Sequence, residues 1–400
     1  MSSDHRLPRT VVPNHYALTL SPELDEATFG GLAIIDVEIT GATEEIVLNA
    51  VQLTITDATL RNDSGARIAA DATTDEASER ATLTLADQAE PGAWRLEISF
   101  EGVLNDDLRG FYRSVYTDGD GNEKTIATTQ FEATDARRAF PCWDEPDFKA
   151  TYGVTLVVDE SLTAISNGPE IARESAGSGK VAITFKDTMK MSTYLVAFIV
   201  GELEVTDPVD VDGIPLRIAH VPGKGHLTDY ALEAGAFALR FYADYYDIPY
   251  PGDKMDMIAI PDFAWGAMEN LGAVTYRETA LLLDRERATQ TELMRIAEVI
   301  AHEIAHMWFG DLVTMKWWNG IWLNEAFATF ASMKCVDAFR PDWETWLTFA
   351  ADRTYSMGTD ATESTRPIEF PVESPEEASE MFDNLTYLKG SSVLRMLEQY

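Results

Sequence analysis

The chain has 400 residues, 46% hydrophobic and 10% aromatic, which is ample for well-packed cores and too long for one ordinary core, so two domains are expected. A formal net charge of −36, from 67 acidic against 31 basic residues, repels nucleic acid and anionic membranes, so neither is an expected partner. No run reaches the roughly eighteen apolar residues of a membrane span, and the opening Met-Ser-Ser-Asp-His-Arg lacks an apolar signal segment, so a cytoplasmic protein is expected.

Two distant cysteines, Cys142 and Cys335, make no disulfide framework and are expected to be reduced thiols. Arginine outnumbers lysine and the acids are dispersed along the chain. Together these suggest a strongly hydrated surface suited to high intracellular salt, where screening quenches self-repulsion.

From about Arg9 to Glu202 the texture is short and β-like. Alternation marks His15–Leu20, Ile35–Ile39, Thr82–Leu85, Leu96–Phe100, Tyr152–Val158 and Val181–Phe185. Polar turns such as Asn62-Asp63-Ser64-Gly65 and Gly177-Ser178-Gly179 separate them, so an antiparallel β domain over residues 1–205 is expected. The acid-rich Asp71–Glu79 reads as a solvated loop. The run from Gln130 to Pro146 packs charges, aromatics and two prolines without alternation, and reads as an ordered, non-repetitive loop.

A change of texture near Val205-Thr206-Asp207-Pro208 opens the second domain, 206–400. Strands are expected over Pro215–Val221 and Met257–Pro261, with a helix over Leu227–Tyr246 between them. Trp265-Gly266-Ala267-Met268-Glu269-Asn270-Leu271-Gly272 follows, an extended edge on which a peptide would pair by β-augmentation. A further helix opens with Thr289-x-x-Glu292, a capping box, and is expected to stop at Gly310. Asn319 is expected to cap the next helix. After Trp343 the chain is again helical, passes an acidic loop at Glu373–Glu380, and resumes a helix at Ser391 that still runs at Tyr400. A chain stopping inside a helix suggests a piece of a longer protein.

The chemistry sits in His302-Glu303-Ile304-Ala305-His306, followed after eighteen residues by Glu325. Positions i and i+4 on a helix differ by about 40° in azimuth, so His302 and His306 can grip one ion. Glu303, about 100° away, can reach a ligand of that ion. Two imidazoles and a carboxylate form a catalytic zinc set, which implies one Zn2+ per chain. Glu303 then fits the general base. Glu298 and Asp311 are candidates for acceptors of the second N–H of the ligand histidines, and fourteen tyrosines leave the oxyanion donor open.

These motifs resemble the gluzincin aminopeptidases related to aminopeptidase N. The resemblance spans the chain and includes Gln130-x-Glu132, Phe140-Pro141-Cys142-Trp143-Asp144-Glu145-Pro146, Gly266-Ala267-Met268-Glu269-Asn270 and Tyr387-x-Lys389-Gly390. It implies a multidomain α+β fold, an N-terminal β-saddle followed by a thermolysin-like domain, with a C-terminal helical domain beyond. It implies that Glu269 and Glu132 hold the α-ammonium of peptide substrates with a free N-terminus, and that Gln130 lines the first side-chain pocket. Gly266 and Ala267, with Met268 and Asn270 in the same motif, would face the peptide backbone, and Tyr387 would donate to the oxyanion. Trp265 departs from the family at a position bordering that pocket, and Lys316 stands where an acid is common. An epoxide hydrolase or a non-catalytic peptide binder are the other functions such a chain would have. The sequence carries no signal of oligomeric state.

Overall fold

The computed structural model describes residues 6–400. The chain forms two compact units, the first ending at Leu203 and the second spanning Glu204–Tyr400.

In the first unit, ten strands form one sheet and four more form a second. Each alternating run of the sequence lies inside a strand, for example Val11–Glu23, Thr28–Ile39, Gly92–Val103 and Thr151–Asp159. Alternation puts Tyr16, Leu18 and Leu20 inward, all at most 1% exposed. The sheet is not wholly antiparallel. Val11–Glu23 pairs in parallel with Thr151–Asp159, His15 opposite Thr151. Strands so far apart in sequence are not joined by a hairpin, so the turn-based expectation of antiparallel pairing does not bind them.

One other expectation is corrected here. Asp71–Glu79 is not one solvated loop: Asp71–Asp75 completes a strand that pairs with Arg80–Ala89. Glu79 is drawn into ion pairs with Arg137 and Arg138 at 2.9 and 3.0 Å. The Gln130–Pro146 segment is indeed irregular, and this network explains its order. Arg137, 4% exposed, donates to Asp144 at 2.9 Å, while Thr193 donates to the other oxygen of Asp144 at 2.6 Å. A buried charge is tolerable only when paired in this way.

The second unit has a small sheet and six helices among its described residues. Its sheet runs Glu204–Val205, Ile214–His220, Met255–Ile260, Ala273–Arg277, Ala267–Met268, with Val209–Val211 also paired to Ile214–His220. Helix α1 (Asp229–Tyr246) precedes the central α2 (Gln290–His306), which packs on α3 (Ile321–Phe339). Then come α4 (Thr345–Asp360), the short α5 (Pro375–Glu380) and α6 (Gly390–Gln399).

The capping box on α2 is present: Thr289 Oγ1 accepts from Glu292 N, and Glu292 Oε2 accepts from Thr289 N at 2.8 Å. Ile296, Ala297, Ile300, Ala301, Ile304 and Ala305 are all buried, so α2 is apolar on most of its circumference, as a central helix must be. Two tyrosines of α1 bind its main chain, Tyr230 Oη to Leu293 O and Tyr242 Oη to Ala301 O, both at 2.9 Å. Gly310 does not end the helix. Regular structure stops at His306, and Gly310 takes φ +145° in the loop beyond. Asn319 does not cap α3; Gly320 holds that position and the Asn319 amide donates to Glu369 at 2.8 Å. The acidic Glu373–Glu380 stretch is largely helical, because Ser374 caps it by accepting from Glu377 N and Pro375 suits the first turn.

Candidate metal centre

The site is built on α2, α3, the edge strand Ala267–Met268 and a turn before α6. Helical spacing brings His302 Nε2 and His306 Nε2 to 3.1 Å from each other. Glu325, one turn into α3, places Oε2 at 3.2 Å from the first and 3.5 Å from the second. Donors bound at about 2.0–2.2 Å to a tetrahedral ion stand roughly 3.3–3.6 Å apart, so this triangle matches such an ion within a few tenths of an ångström. Two nitrogens and one carboxylate oxygen are a donor set suited to zinc. The residues present fit the metal.

His306 Nδ1 lies 3.0 Å from the Phe309 carbonyl oxygen. A carbonyl only accepts, so Nδ1 is the donor, which leaves Nε2 as the nitrogen that a metal ion would take. The acceptor is thus a main-chain atom rather than Glu298 or Asp311. Glu298 is close enough to Asp352 to feel its charge, and its buried Oε1 has no hydrogen-bond partner.

Two more carboxylates stand beside the triangle: Glu269 and Glu303 each offer an oxygen within 4.8 Å of a His306 nitrogen and of each other. Glu303, Glu269, Glu325 and His306 are all at most 6% exposed. Burial pushes the Glu303 carboxyl well above the usual range, with Glu269 and Glu325 adding to the rise against the pull of His306. Glu269 is raised too, again mainly by burial. Burial would raise Glu325 as well, but His306 and His302 outweigh it and hold Glu325 at about 2. His306 is raised well above an ordinary histidine because Glu269, Glu325 and Glu303 outweigh its burial, whereas burial lowers His302. The pocket holds more buried carboxylates than cationic partners, a shortfall that proton uptake or a bound cation would relieve.

Glu269 follows the edge strand Ala267–Met268, which pairs antiparallel with Ala273–Arg277. The loop after it is fixed by buried polar groups. Asn270 Nδ2 donates to Ala273 O and Thr275 Oγ1, and Lys254 Nζ donates to Gly272 O at 2.6 Å and Asp256 at 2.8 Å. Gly266 is exposed, and its carbonyl accepts from Arg277 N. Trp265 is 49% exposed, with its ring 6.0 Å from Phe382.

Tyr387 sits in a π turn, Leu385–Lys389, that leads into α6. Its ring lies 6.0 Å from that of His302 at 27°. Asp383 Oδ1 caps the turn by accepting from Leu385 N and Thr386 N, and Arg366 ties Asp383 to Thr386. Lys389 Nζ is anchored on Asp360 at 2.7 Å. In the first unit, Gln130 is buried at the end of the strand Glu123–Gln130, and Glu132 is half-buried in the turn that follows.

A histidine pair on a central helix, a glutamate from the next helix and a neighbouring buried glutamate form a group that could hold a metal ion. Residues 12–195 match the peptidase M1 N-terminal domain and residues 230–400 the peptidase family M1 domain. The chain is 44% identical over 399 residues to aminopeptidase M1 of Arabidopsis thaliana, covering 99% of this chain and 45% of that protein. It is 45% identical over 398 residues to puromycin-sensitive aminopeptidase of Caenorhabditis elegans, covering 99% and 42%. With alanine/arginine aminopeptidase of Saccharomyces cerevisiae it is 44% identical over 404 residues, covering 98% and 46%. The chain belongs to the M1 family of metallopeptidases. It spans about half the length of these relatives.

Proposed function

We propose that this chain is the part of a zinc aminopeptidase that removes N-terminal residues from peptides with a free amino group. The observation that carries the reading is the meeting of His302, His306 and Glu325 donors, 3.1–3.5 Å apart, beside buried Glu303 and Glu269. Zinc held by these three residues would supply carbonyl polarisation and an acidified water. Glu303 takes the proton of the attacking water and returns it to the leaving amine nitrogen. Tyr387 donates its phenolic O–H to the carbonyl oxygen as negative charge develops there. Glu269 accepts from the substrate ammonium, and the family resemblance gives Glu132 the same duty. The edge at Ala267–Met268, with Gly266 and Asn270 flanking it, orders the peptide backbone, and the family resemblance assigns Gln130 to the first side-chain pocket.

Turnover of a panel of aminoacyl-anilides, free and N-acetylated, tests this. Free substrates are cleaved and acetylated ones are not, because a blocked nitrogen leaves a buried carboxylate unpaired. Equal cleavage of both would refute the exopeptidase reading. The acid excess fits a salt-rich cytoplasm: activity and thermal stability are expected to rise from low to molar KCl, and a flat or falling response sinks that part. No helix of the described residues is long and apolar enough to cross a membrane.

A further inference from the structure

The buried main-chain acceptor of His306 raises the question of what holds that carbonyl in place. Phe309 lies past the end of α2; its N–H still donates to Ala305 O at 3.3 Å, which by itself does not aim the carbonyl. Three features do so instead. Its ring stacks on Phe327 of α3, centroids 4.4 Å apart and planes 10° apart. The same ring meets Tyr246 of α1 edge-on at 5.4 Å. Beyond it the chain folds back sharply: Gly310 N donates to Val313 O at 2.8 Å, and Asp311 N donates to His306 O at 3.0 Å.

That return needs Gly310. Its φ of +145° suits glycine alone, and a Cβ there would stand 3.3 Å from His306 Nδ1, on the atom whose hydrogen bond is at issue. Phe327 is two residues beyond Glu325 on α3. One ring pair therefore joins the helix that carries the third donor to the loop that orients the second.

We infer that the Phe309–Phe327 stack and the Gly310 turn act as a clamp that holds His306 Nδ1 on the Phe309 carbonyl and so sets the tautomer and aim of His306 in the metal site. Phe309, Gly310 and Phe327 are positioning residues, since none offers a donor to the ion. An imidazole released from its acceptor can rotate or take the other tautomer, with a proton on Nε2. Loss of such an outer partner commonly weakens metal binding 10–100-fold. Both rings are half-buried, and Phe327 also packs on the buried Ala326–Phe330–Leu394 cluster, so the fold is checked beside the metal. The inference rests on the metal-site reading above.

The test compares Phe327→Leu, which removes the stack, with Phe327→Tyr, which keeps it. Zinc affinity is measured by chelator competition, the visible absorption of the cobalt(II)-substituted chain reports ligand geometry, and urea unfolding of the metal-free chain reports the fold. Phe327→Leu is expected to bind zinc about tenfold more weakly with an altered cobalt spectrum, and Phe327→Tyr to match the parent in both. Parental zinc affinity in Phe327→Leu, or equal losses in both variants, overturns the clamp. Should Phe327→Leu fail to fold, Gly310→Ala serves: weakened zinc binding with an altered spectrum supports the clamp, and parental binding overturns it. His306→Ala separates the two levels, since undiminished zinc affinity in that variant removes the metal site itself and the clamp with it.

Discussion

Glu298, one turn before His302 on α2, gives a test of how much buried charge the metal helix carries. Burial and the nearby Asp352 raise its carboxyl from 4.5 to about 7, only partly offset by Arg295. A folded-state value above the unfolded one means that the native chain binds the proton more tightly. No penalty exists below the unfolded value of 4.5; it grows as pH rises and is complete above about 7. A shift of some two and a half units corresponds to about 3 kcal/mol of lost stability at alkaline pH. Glu298→Gln keeps the shape and removes the charge, so the variant should gain up to about 3 kcal/mol over the parent at pH 8.5 and almost nothing at pH 4.5. Urea unfolding of both metal-free proteins across that range measures it. Taking the difference at each pH cancels the self-repulsion of a chain with net charge −36, which both share apart from one unit. A difference flat in pH, or a Gln variant less stable at pH 8.5, refutes the reasoning.

Glu303→Gln should retain zinc, measured by metal analysis, while turnover of aminoacyl-anilides falls by about 10²–10⁴; retained turnover removes Glu303 as the base. Tyr387→Phe should lower kcat by about 10²–10³ with KM nearly unchanged, because its hydrogen bond forms only as the oxyanion develops; a pure KM effect contradicts that role. Lys254→Met removes one of the two donors to Gly272 O, which keeps Asp256 N, and leaves the Asp256 carboxylate with Arg217 alone, so it should cost about 3 kcal/mol in urea unfolding. It should also raise KM for free-amine substrates as the Glu269 loop loosens, and parental stability would show that the lysine is dispensable.

The parts of the site legible in the sequence are those with a local period. His302, Glu303 and His306 share a helix whose spacing is fixed, and Thr289 with Glu292 announces where that helix begins. Glu325 was reachable because a short return and a second helix leave few places for a third donor. The outer partner of His306 is not legible, since a main-chain carbonyl has no side-chain signature, whereas the acids Glu298 and Asp311 do. The π turn under Tyr387 leaves no periodic mark, one residue being simply added to a helical register. Lys254, Asp256 and Arg217 look like surface residues in a charged chain. Only the strand pairing of Ile214–His220 with Met255–Ile260 shows that Arg217 and Asp256 oppose each other. The acids of Glu373–Glu380 masked a capped helix for the same reason: composition suggested solvent, while Ser374 and Pro375 set a first turn.

The carboxylates of the second unit are best understood as one charge problem. Glu269, Glu303 and Glu325 are buried around two imidazoles, and full ionisation of all three against neutral rings would cost several kcal/mol per charge. The protein relieves this by protonation, which is why Glu303 and Glu269 are raised and His306 is drawn toward its cationic form. Occupancy by a dication would change the balance. Glu325 and the histidine lone pairs would be engaged, His306 would give up its extra proton, and Glu303 would ionise more readily beside the positive charge, ready to accept a proton from water. The remaining carboxylate, Glu269, has His306 Nδ1 nearby at 3.8 Å, and the ammonium of the proposed substrate would supply a second positive charge. If the chain acts as proposed, a preference for a free N-terminus would not require a separately shaped pocket. It would follow from a site that holds one buried carboxylate more than a metal and a base would use, so that a substrate arriving without a positive charge would leave the site electrostatically incomplete.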